Sequence, residues 1–579
     1  MLSRSPQRAL SIGPSLLCWL VLPFTAGLLA GCNGSQSQPA ASGAKPAARS
    51  ARGSADTFRY AAGLLNSNDG LEDAEAAMRQ SKAPEEAARR LLYSQMPSAV
   101  VDQLNRWLAT QKAAEDWRPD ALLETLPAEL RELPAVKALG DSKFSDPEAA
   151  TLREVVWLRD ISNRVCGEAS DDVERARRLF DWTVRNIQLD PAPTPEQKPG
   201  DQPAAEDEPL AAPYLPWHLL ALGHGQATDR AWLFMLLARQ QALDVVLLEP
   251  AGAKRQALLG LLVKNQLYLF DAELGLPLPG ATDAEVATLA QIAADDGLLR
   301  KLDLDAEHAY PLHASDLAKV TALVEASPIY LQRRSALIEA RLTGEEKLAL
   351  SLDASGLAKR LAACEHVGEA RLWPLPYERL QGLAKRNSPG VKRLANEFQV
   401  LITPFQHVVK KKTEFTVAVW RGRVQHLLGR FTGEFGANYF YQLARIADAD
   451  LDQMVALMST PREGDTAETL QQRRLFSESS ANQYRAAKRY ASYWLGLVAY
   501  ERENYITAID YFAKRTLEAT PNGPWTYGAL YNLGRTYELL GRRKDAIAAY
   551  ESDDSAQQYG NLLRAKRLET AAGAEDQPQ

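Results

Sequence analysis

Cysteine is scarce in this sequence. Only four of its 579 residues are cysteine, and no two of them are spaced as CxxC. This scarcity excludes a small fold stapled by many disulfides and a cysteine-rich zinc site. Positive charge is not in excess either, because 67 Lys and Arg stand against 73 Asp and Glu, a formal net charge of −6. Nucleic-acid-binding domains are usually basic, so we expect no nucleic-acid partner.

Several enzyme motifs are also missing from the sequence. The chain contains no phosphate-binding Walker loop, no HExxH zinc motif and no GxSxG nucleophile motif. We therefore expect no cofactor and no metal site. The 46% hydrophobic and 24% charged residues are typical of globular protein. The length indicates three to four domains, at about 150 residues each.

The N-terminus has the composition of an export signal. Arg4 and Arg8 give a positive start, an apolar run follows over residues 16–29, and small residues lead to Cys32. The ending Leu-Ala-Gly-Cys resembles the lipobox of bacterial lipoproteins, which implies cleavage before Cys32 and attachment of diacylglycerol to its thiol. The resemblance implies an exported, periplasmic-facing protein that is anchored in a bacterial cell-envelope membrane through its lipid.

Composition divides the chain into segments. Residues 1–31 form the predicted signal peptide, and the Ser-, Gly-, Pro- and Ala-rich residues 32–55 form a predicted flexible linker, because they offer too few apolar side chains for a core. No later stretch has eighteen uncharged apolar residues in a row, so we predict no further membrane span. The remainder is predicted to be α+β and mostly helical, in four parts: a helical region with an α+β core near 150–280 (residues 56–375), a helical connecting region (376–480), helical repeats (481–570) and a disordered tail (571–579).

The pattern between residues 150 and 280 predicts a buried helix packed on a sheet. Asp171 and Asp172 are typical helix caps, and apolar residues at helical spacing follow them. Residues 190–216 carry eight prolines and predict a disordered surface loop. A helix predicted over 228–241 is apolar on all sides, so we expect it to be buried. Three strands are predicted to follow, at Asp244–Glu249, Leu258–Val263 and 266–272.

This order of elements resembles the transglutaminase-like fold of the papain-type thiol enzymes. The resemblance rests on the sequences at residues 177–187, 223–231 and 267–271. In that family a glycine-rich turn delivers a cysteine to the start of the buried helix. A histidine and an aspartate on the following strands complete the catalytic triad.

The catalytic residues that the resemblance implies are absent from this chain. The cysteine position of the family falls at Ala227, in register with Asp229. No histidine occurs between His224 and His308, so the strand that would carry the base lacks one. Asp271 matches the aspartate of the family, but with no base to orient we expect it to make hydrogen bonds in a strand-end turn. The resemblance therefore implies a degenerate site with no catalytic residue, that of a pseudoenzyme.

Cys166 and Cys364 are the thiols that remain once Cys32 is lipidated. They could form one disulfide in an oxidising envelope, and the sequence leaves that open. Either could also be the nucleophile of a thiol enzyme with another arrangement. Cys166 precedes the first helix of the resemblance rather than the buried helix, so we expect structural thiols.

The connecting region offers few signals. Helical segments are predicted over 281–345 and 354–480, with a strand at 348–352 between them. A basic stretch at 410–430 includes three lysines together with arginines and a histidine. We interpret it as a solvated face, and binding of anionic lipid or a wall polymer is the alternative.

The C-terminal part repeats itself. A Leu-Gly pair is followed by an alanine twelve residues after the glycine and an aromatic residue four positions further, and the pattern recurs 38 residues later. It resembles the tetratricopeptide repeat of about 34 residues, with four extra residues placed in the turn at 521–524. In such repeats small residues let paired helices approach closely. The predicted packing residues are Leu495, Gly496, Ala508 and Phe512 in the first unit, and Leu533, Gly534, Ala546 and Tyr550 in the second.

Together these features predict a membrane-anchored envelope lipoprotein that acts as a non-catalytic protein-interaction or scaffold module. Its partners would be membrane lipid through the acylated N-terminus, and a protein or peptide bound at the repeats, whose helix pairs offer a concave groove. Two alternatives stay open from the sequence. One is a thiol-dependent hydrolase or acyl transferase of the transglutaminase-like class, and the other is a binder of wall polymer or anionic lipid.

Overall fold

A computed structural model describes residues 98–111, 117–191, 212–250, 257–282, 284–385, 388–409 and 412–575, and the isolated residues 58 and 252. The predicted signal peptide, Cys32 and the linker lie outside these residues. The described part belongs to one compact unit and is α+β and mostly helical. Within it, no helix has both the length and the apolar character needed to cross a bilayer.

Helices precede the sheet. Asp171 caps one of them, since its carboxylate accepts a hydrogen bond from the backbone N–H of Glu174 at 2.8 Å, and this confirms the predicted cap. The elements in order are α1 (Ser98–Leu108), a 3₁₀ turn (Ala121–Thr125), α2 (Ala128–Arg131), α3 (Pro134–Lys137), α4 (Asp146–Cys166), α5 (Asp172–Asn186) and the short strand β1 (Gln188–Leu189).

The loop predicted over 190–216 is wrong at its C-terminal end. Tyr214 is buried, and α6 (Pro216–Leu222) begins at a proline. Proline fits the first turn of a helix because its missing N–H has no partner there anyway. The proline-rich composition therefore concealed a helix start, while residues 192–211 lie outside the described residues.

The predicted buried helix is α7 (Ala227–Arg239), and it packs against α4, α5 and the first strand of the main sheet. Phe234 of α7 contacts Phe180 of α5 and Phe270 of the sheet, with ring centroids 5.2 Å and 5.5 Å away. Just before α7, strand β2 (His224–Gly225) pairs in parallel with β1. The helix is thus held at the centre of the core.

The main sheet has six strands in the order β6-β5-β4-β3-β7-β8, antiparallel throughout except for the β7–β8 pair. The three predicted strands are confirmed, the last ending one residue earlier than predicted. No strand forms at 348–352, where Leu350 donates its N–H to a Glu339 side chain instead of to a ladder. The strands are β3 (Asp244–Glu249), β4 (Leu258–Val263), β5 (Gln266–Asp271), β6 (Leu276–Pro277), β7 (Val320–Val324) and β8 (Val367–Leu372).

The chain from residue 281 to residue 480 carries many helices, but it also forms strands that were not predicted. Strand β7 lies inside the predicted helical segment 281–345, because its apolar residues pair with β3 in the sheet, and β8 lies inside 354–480. Strands β9 (Phe405–Val409) and β10 (Lys412–Thr416) pair antiparallel inside the region predicted as helical. The helices are α8 (Leu289–Ala294), α9 (Gly297–Arg300), α10 (Pro328–Leu331), α11 (Arg333–Glu339), α12 (Ala354–Leu361), α13 (Leu375–Ala384), α14 (Pro389–Leu401), α15 (Ala418–Leu427), α16 (Ala437–Leu443) and α17 (Asp448–Met458).

The C-terminal region is helical. One continuous helix of 35 residues begins before the predicted start of the repeats at 481, and the last helix runs to Glu575, into the segment predicted as a disordered tail. We call this part the repeat region; it contains α18 (Ala467–Glu501), α19 (Tyr505–Ile509), which continues as a π-helix (Asp510–Glu518), α20 (Thr526–Leu539), α21 (Arg543–Glu551) and α22 (Gln558–Glu575).

A buried carboxylate joins the repeat region to the helices around the sheet. Glu501, the last residue of α18, lies 3.1 Å from a guanidinium nitrogen of Arg164 in α4 and accepts the indole N–H of Trp182 in α5 at 3.0 Å. His426 of α15 lies 3.4 Å away. Burial opposes the ionisation of Glu501, but Arg164 and His426 hold its pKa well below the usual range. Burial also lowers the pKa of His426 to about 4, so its imidazole is neutral at pH 7.

The two predicted repeat units show the same close contact. A Cβ on Gly496 would lie 2.4 Å from the ring of Phe512, and a Cβ on Gly534 would lie 2.5 Å from the ring of Tyr550. Ala508 and Ala546 are fully buried, as are both rings. In each unit the glycine and the aromatic ring among the predicted packing residues therefore lie in close contact. The extra residues of the first unit do not lie in the turn alone, because the π-helix adds residues per turn.

Replacing Gly534 with alanine tests this contact. The added methyl group would overlap Tyr550, and overpacking of about 1–3 kcal/mol outweighs the gain of up to about 1 kcal/mol in helix propensity. We expect the free energy of unfolding in urea to fall for Gly534→Ala. The Tyr550→Leu change should lower the free energy of unfolding less in the Gly534→Ala variant than in the parent. If the effects of the two changes on the free energy of unfolding are strictly additive, the contact is absent.

Candidate functional site

The resemblance to the transglutaminase-like enzymes predicts a nucleophile position at the start of α7. Ala227 is the first residue of the helix and is half-buried, which confirms its predicted place at the helix start. The Asp229 carboxylate accepts the backbone N–H of Gln226 at 2.9 Å and closes the first turn. A methyl group therefore stands where a thiolate would be stabilised by the helix N-terminus.

Asp229 forms a closed ion pair. Its side chain is fully buried, and the guanidinium of Arg379 in α13 donates to it at 2.9 Å. Burial raises the pKa of Asp229, while the charge of Arg379 opposes that rise. One carboxylate oxygen binds Arg379 and the other binds the Gln226 N–H at the helix start, so both oxygens make structural contacts.

Asp271 lies on the other side of the sheet from α7. Side chains alternate along a strand, and Phe270 points to α7 while Leu269 packs into the apolar cluster on the opposite face. Asp271 accepts backbone N–H groups of Glu273 and Leu274 at 2.9 and 3.0 Å, and its other oxygen accepts the Tyr310 hydroxyl. The predicted turn role is confirmed, and the structure does not bring Asp271 together with Ala227 and Asp229.

The two thiols are unsuited to nucleophilic attack. Cys166, at the end of α4, and Cys364, after α12, are both buried and do not form a disulfide. Burial raises the pKa of Cys166 to about 11 and also raises that of Cys364. Both therefore stay as thiols at neutral pH.

A titratable pair that sequence reasoning missed lies at β1 and β2. His224 Nδ1 is 3.0 Å from a carboxylate oxygen of Asp190, and both side chains are nearly buried. The parallel pairing of the strands sets this contact, because Asp190 also donates its backbone N–H to the carbonyl of Gly225 at 2.9 Å. The pair stands beside the first turn of α7, since a Cβ on Gly225 would lie 3.1 Å from Cβ of Asp229.

Other elements close around this pair. Tyr214 approaches the His224 ring edge-on, and its hydroxyl donates to Glu397 of α14 at 2.7 Å. Arg393 donates to the same carboxylate at 3.0 Å. From the repeat region, Trp525 lies with its ring centroid 6.2 Å from that of His224. The cluster thus brings together residues that are far apart in the sequence.

A histidine between two glycines, directly before a buried helix, was the available signal for this site. Asp190 gave none, because it begins the proline-rich stretch that predicts a loop. Glu397 and Trp525 lie far away in sequence, and only the fold brings them to His224.

The repeat region is docked on the sheet domain, by which we mean the described residues up to 375. Gln188 of β1 donates its side-chain N–H to the carbonyl of Pro524 at 3.0 Å and accepts the N–H of Gly528 at 2.7 Å. The buried Asn532 of α20 donates to the Arg185 carbonyl at 3.0 Å. One face of the second repeat unit is therefore already covered by this chain.

The basic stretch at 410–430 is partly internal. Arg423 and His426 are buried, and Arg423 donates to the carbonyl of Leu220 in α6 at 2.7 Å. These two side chains bind protein groups rather than forming a basic surface.

Across the described ranges, no three His, Cys, Asp or Glu side chains come together as a group that could hold a metal ion. Comparisons with models of protein families, with curated proteins and with solved structures find no match to this chain.

An Ala227→Cys variant tests the surroundings of the helix start. We expect the new thiol to have a pKa below the usual value of about 8.5, because the helix N-terminus favours the thiolate. The pH dependence of the iodoacetamide labelling rate measures this pKa, and the labelling of the native cysteines in the parent protein is subtracted as background. Ala238→Cys, in the last turn of the same helix, is the matched control and should label slowly. Equal midpoints for the two variants would contradict the proposed environment of Ala227.

Proposed function

We propose that this chain is a membrane-anchored envelope lipoprotein that acts as a non-catalytic protein-interaction or scaffold module. The N-terminal sequence supports the anchor through its lipobox-like ending at Cys32. Support for a non-catalytic role comes from Ala227 at the nucleophile position and from two buried thiols with raised pKa values. In this proposal the sheet domain is a degenerate transglutaminase-like domain, and the repeat region is built of tetratricopeptide-like units.

The observation that carries the interaction role is the distribution of exposed apolar side chains. Among the described residues, every large apolar side chain classed as exposed lies between Phe415 and Leu540. Leu475 and Phe476 are neighbours on α18 with 60% and 51% of their surfaces exposed. Two neighbouring large apolar side chains that are exposed to water are a candidate contact for another protein.

The partner surface proposed here is not the groove of the repeats. Gly528 and Asn532 of the second unit already bind the Gln188 side chain and the Arg185 carbonyl of the same chain, so this face of the unit is occupied. We therefore assign the partner to the exposed first half of α18, where Leu475 and Phe476 stand.

Cys32→Ser tests the anchor. Without the thiol no diacylglycerol can be attached, so the protein should leave the membrane pellet or keep its signal peptide. Fractionation, with the mass of the mature N-terminus, measures this. Membrane retention of the variant, together with a mature N-terminus other than Cys32 in the parent protein, would refute the lipoprotein proposal.

The double variant Leu475→Asp/Phe476→Asp tests the interaction surface. Chemical crosslinking in intact envelopes should give complexes with the parent and not with this variant, because the added charges cannot be buried against an apolar partner. Gln471→Asp/Gln472→Asp adds the same charge on the same helix and should keep the complexes. Thermal unfolding should be unchanged in both variants, and an unaltered crosslinking pattern in the first would overturn the assignment.

A further inference from the structure

The pair of His224 and Asp190 is not used by the proposed interaction role. Both side chains are almost removed from water, with 12% and 13% of their surfaces exposed. A buried titratable pair of this kind at a contact between two parts of a chain is costly unless its charges are balanced. The charges of its neighbours therefore decide which form of His224 the fold prefers.

Among the described residues, the charges around His224 are one positive charge short. Asp229 is already paired with Arg379. The described groups that remain are two carboxylates, Asp190 and Glu397, against which Arg393 stands as a permanent cation. Tyr214 is a neutral hydroxyl donor to Glu397, and Trp525 brings no charge. A protonated His224 completes the balance, whereas a neutral imidazole leaves one carboxylate in excess.

We propose that His224 is a pH-sensitive latch between the sheet domain and the repeat region, closed when its imidazolium binds Asp190. Trp525 transmits the state of the latch, because it packs on His224 and is itself stacked on Tyr493 of α18 at 4.5 Å. The inference is independent of the partner surface on α18. It concerns how firmly the repeat region is held.

The direction of the effect follows from the environment. Burial works against the charged imidazole, but the hydrogen bond and charge of Asp190, with the charge of Glu397, raise the pKa of His224 above its ordinary 6.5. A group whose pKa is raised on folding contributes stability that is fully present below its unfolded pKa, about 6.5, and is lost as the pH rises through the folded value. The latch therefore loosens on the alkaline side.

Site-resolved exchange of histidine ring hydrogens, read by mass spectrometry across pH, tests the latch in the full chain. The midpoint for His224 should lie above 6.5 in the parent and fall by about one pH unit or more in Asp190→Asn, because the opposite charge is lost. The exposed pair of His308 and Asp305, 2.9 Å apart, is the matched control. Asp305→Asn should leave the His224 midpoint unchanged.

A second measurement in the same samples tests the coupling to the repeat region. Backbone amide protection of the peptide that contains Trp525, corrected for intrinsic exchange, should decrease as the pH rises through the titration midpoint of His224. The stability advantage of the parent over His224→Gln in urea should shrink between pH 5.5 and pH 8.5. A His224 midpoint at or below 6.5, or protection at Trp525 that does not follow it, overturns the proposal. If His224→Gln does not fold, the titration midpoint of His224 in Asp190→Asn tests the proposal instead, and a midpoint equal to that of the parent overturns it.

Discussion

The carboxylate of Glu501 is the constraint on which the arrangement of the helices depends. A desolvated charge is tolerated only where its partners meet it with good geometry, and removing one partner of a buried pair typically costs about 3–5 kcal/mol. The partners here are Arg164, Trp182 and His426, which come from three different helices. Apolar contacts alone would allow α18 to slide or rotate, whereas these directional bonds fix its C-terminal end against the sheet domain.

With that frame fixed, the polar groups at the start of α7 are bound mostly to one another. Asp229 is satisfied by Arg379 and by the helix backbone, and Asp271 is engaged on the far face of the sheet. Ala227, at the helix start, offers no nucleophile beside these carboxylates. His224 stands next to them, and its neighbours tie proton binding to the packing of Trp525.

The parts of the fold that could be predicted depend on short-range patterns. The cap at Asp171, the helix apolar on all sides and the three strands from Asp244 onward all follow from neighbouring residues. Strand β8 could not be found in this way, because its edge position leaves Glu369 exposed and breaks the apolar run. The site was missed because His224 meets Glu397 and Trp525 only through tertiary contacts, which no local pattern reveals.

The contacts of His224 also join two points of the chain that are far apart in sequence. Asp190 and Tyr214 both contact the His224 ring, so one side chain holds β1 and the residues before α6 at the same place. A single substitution at His224 would therefore loosen both points at once.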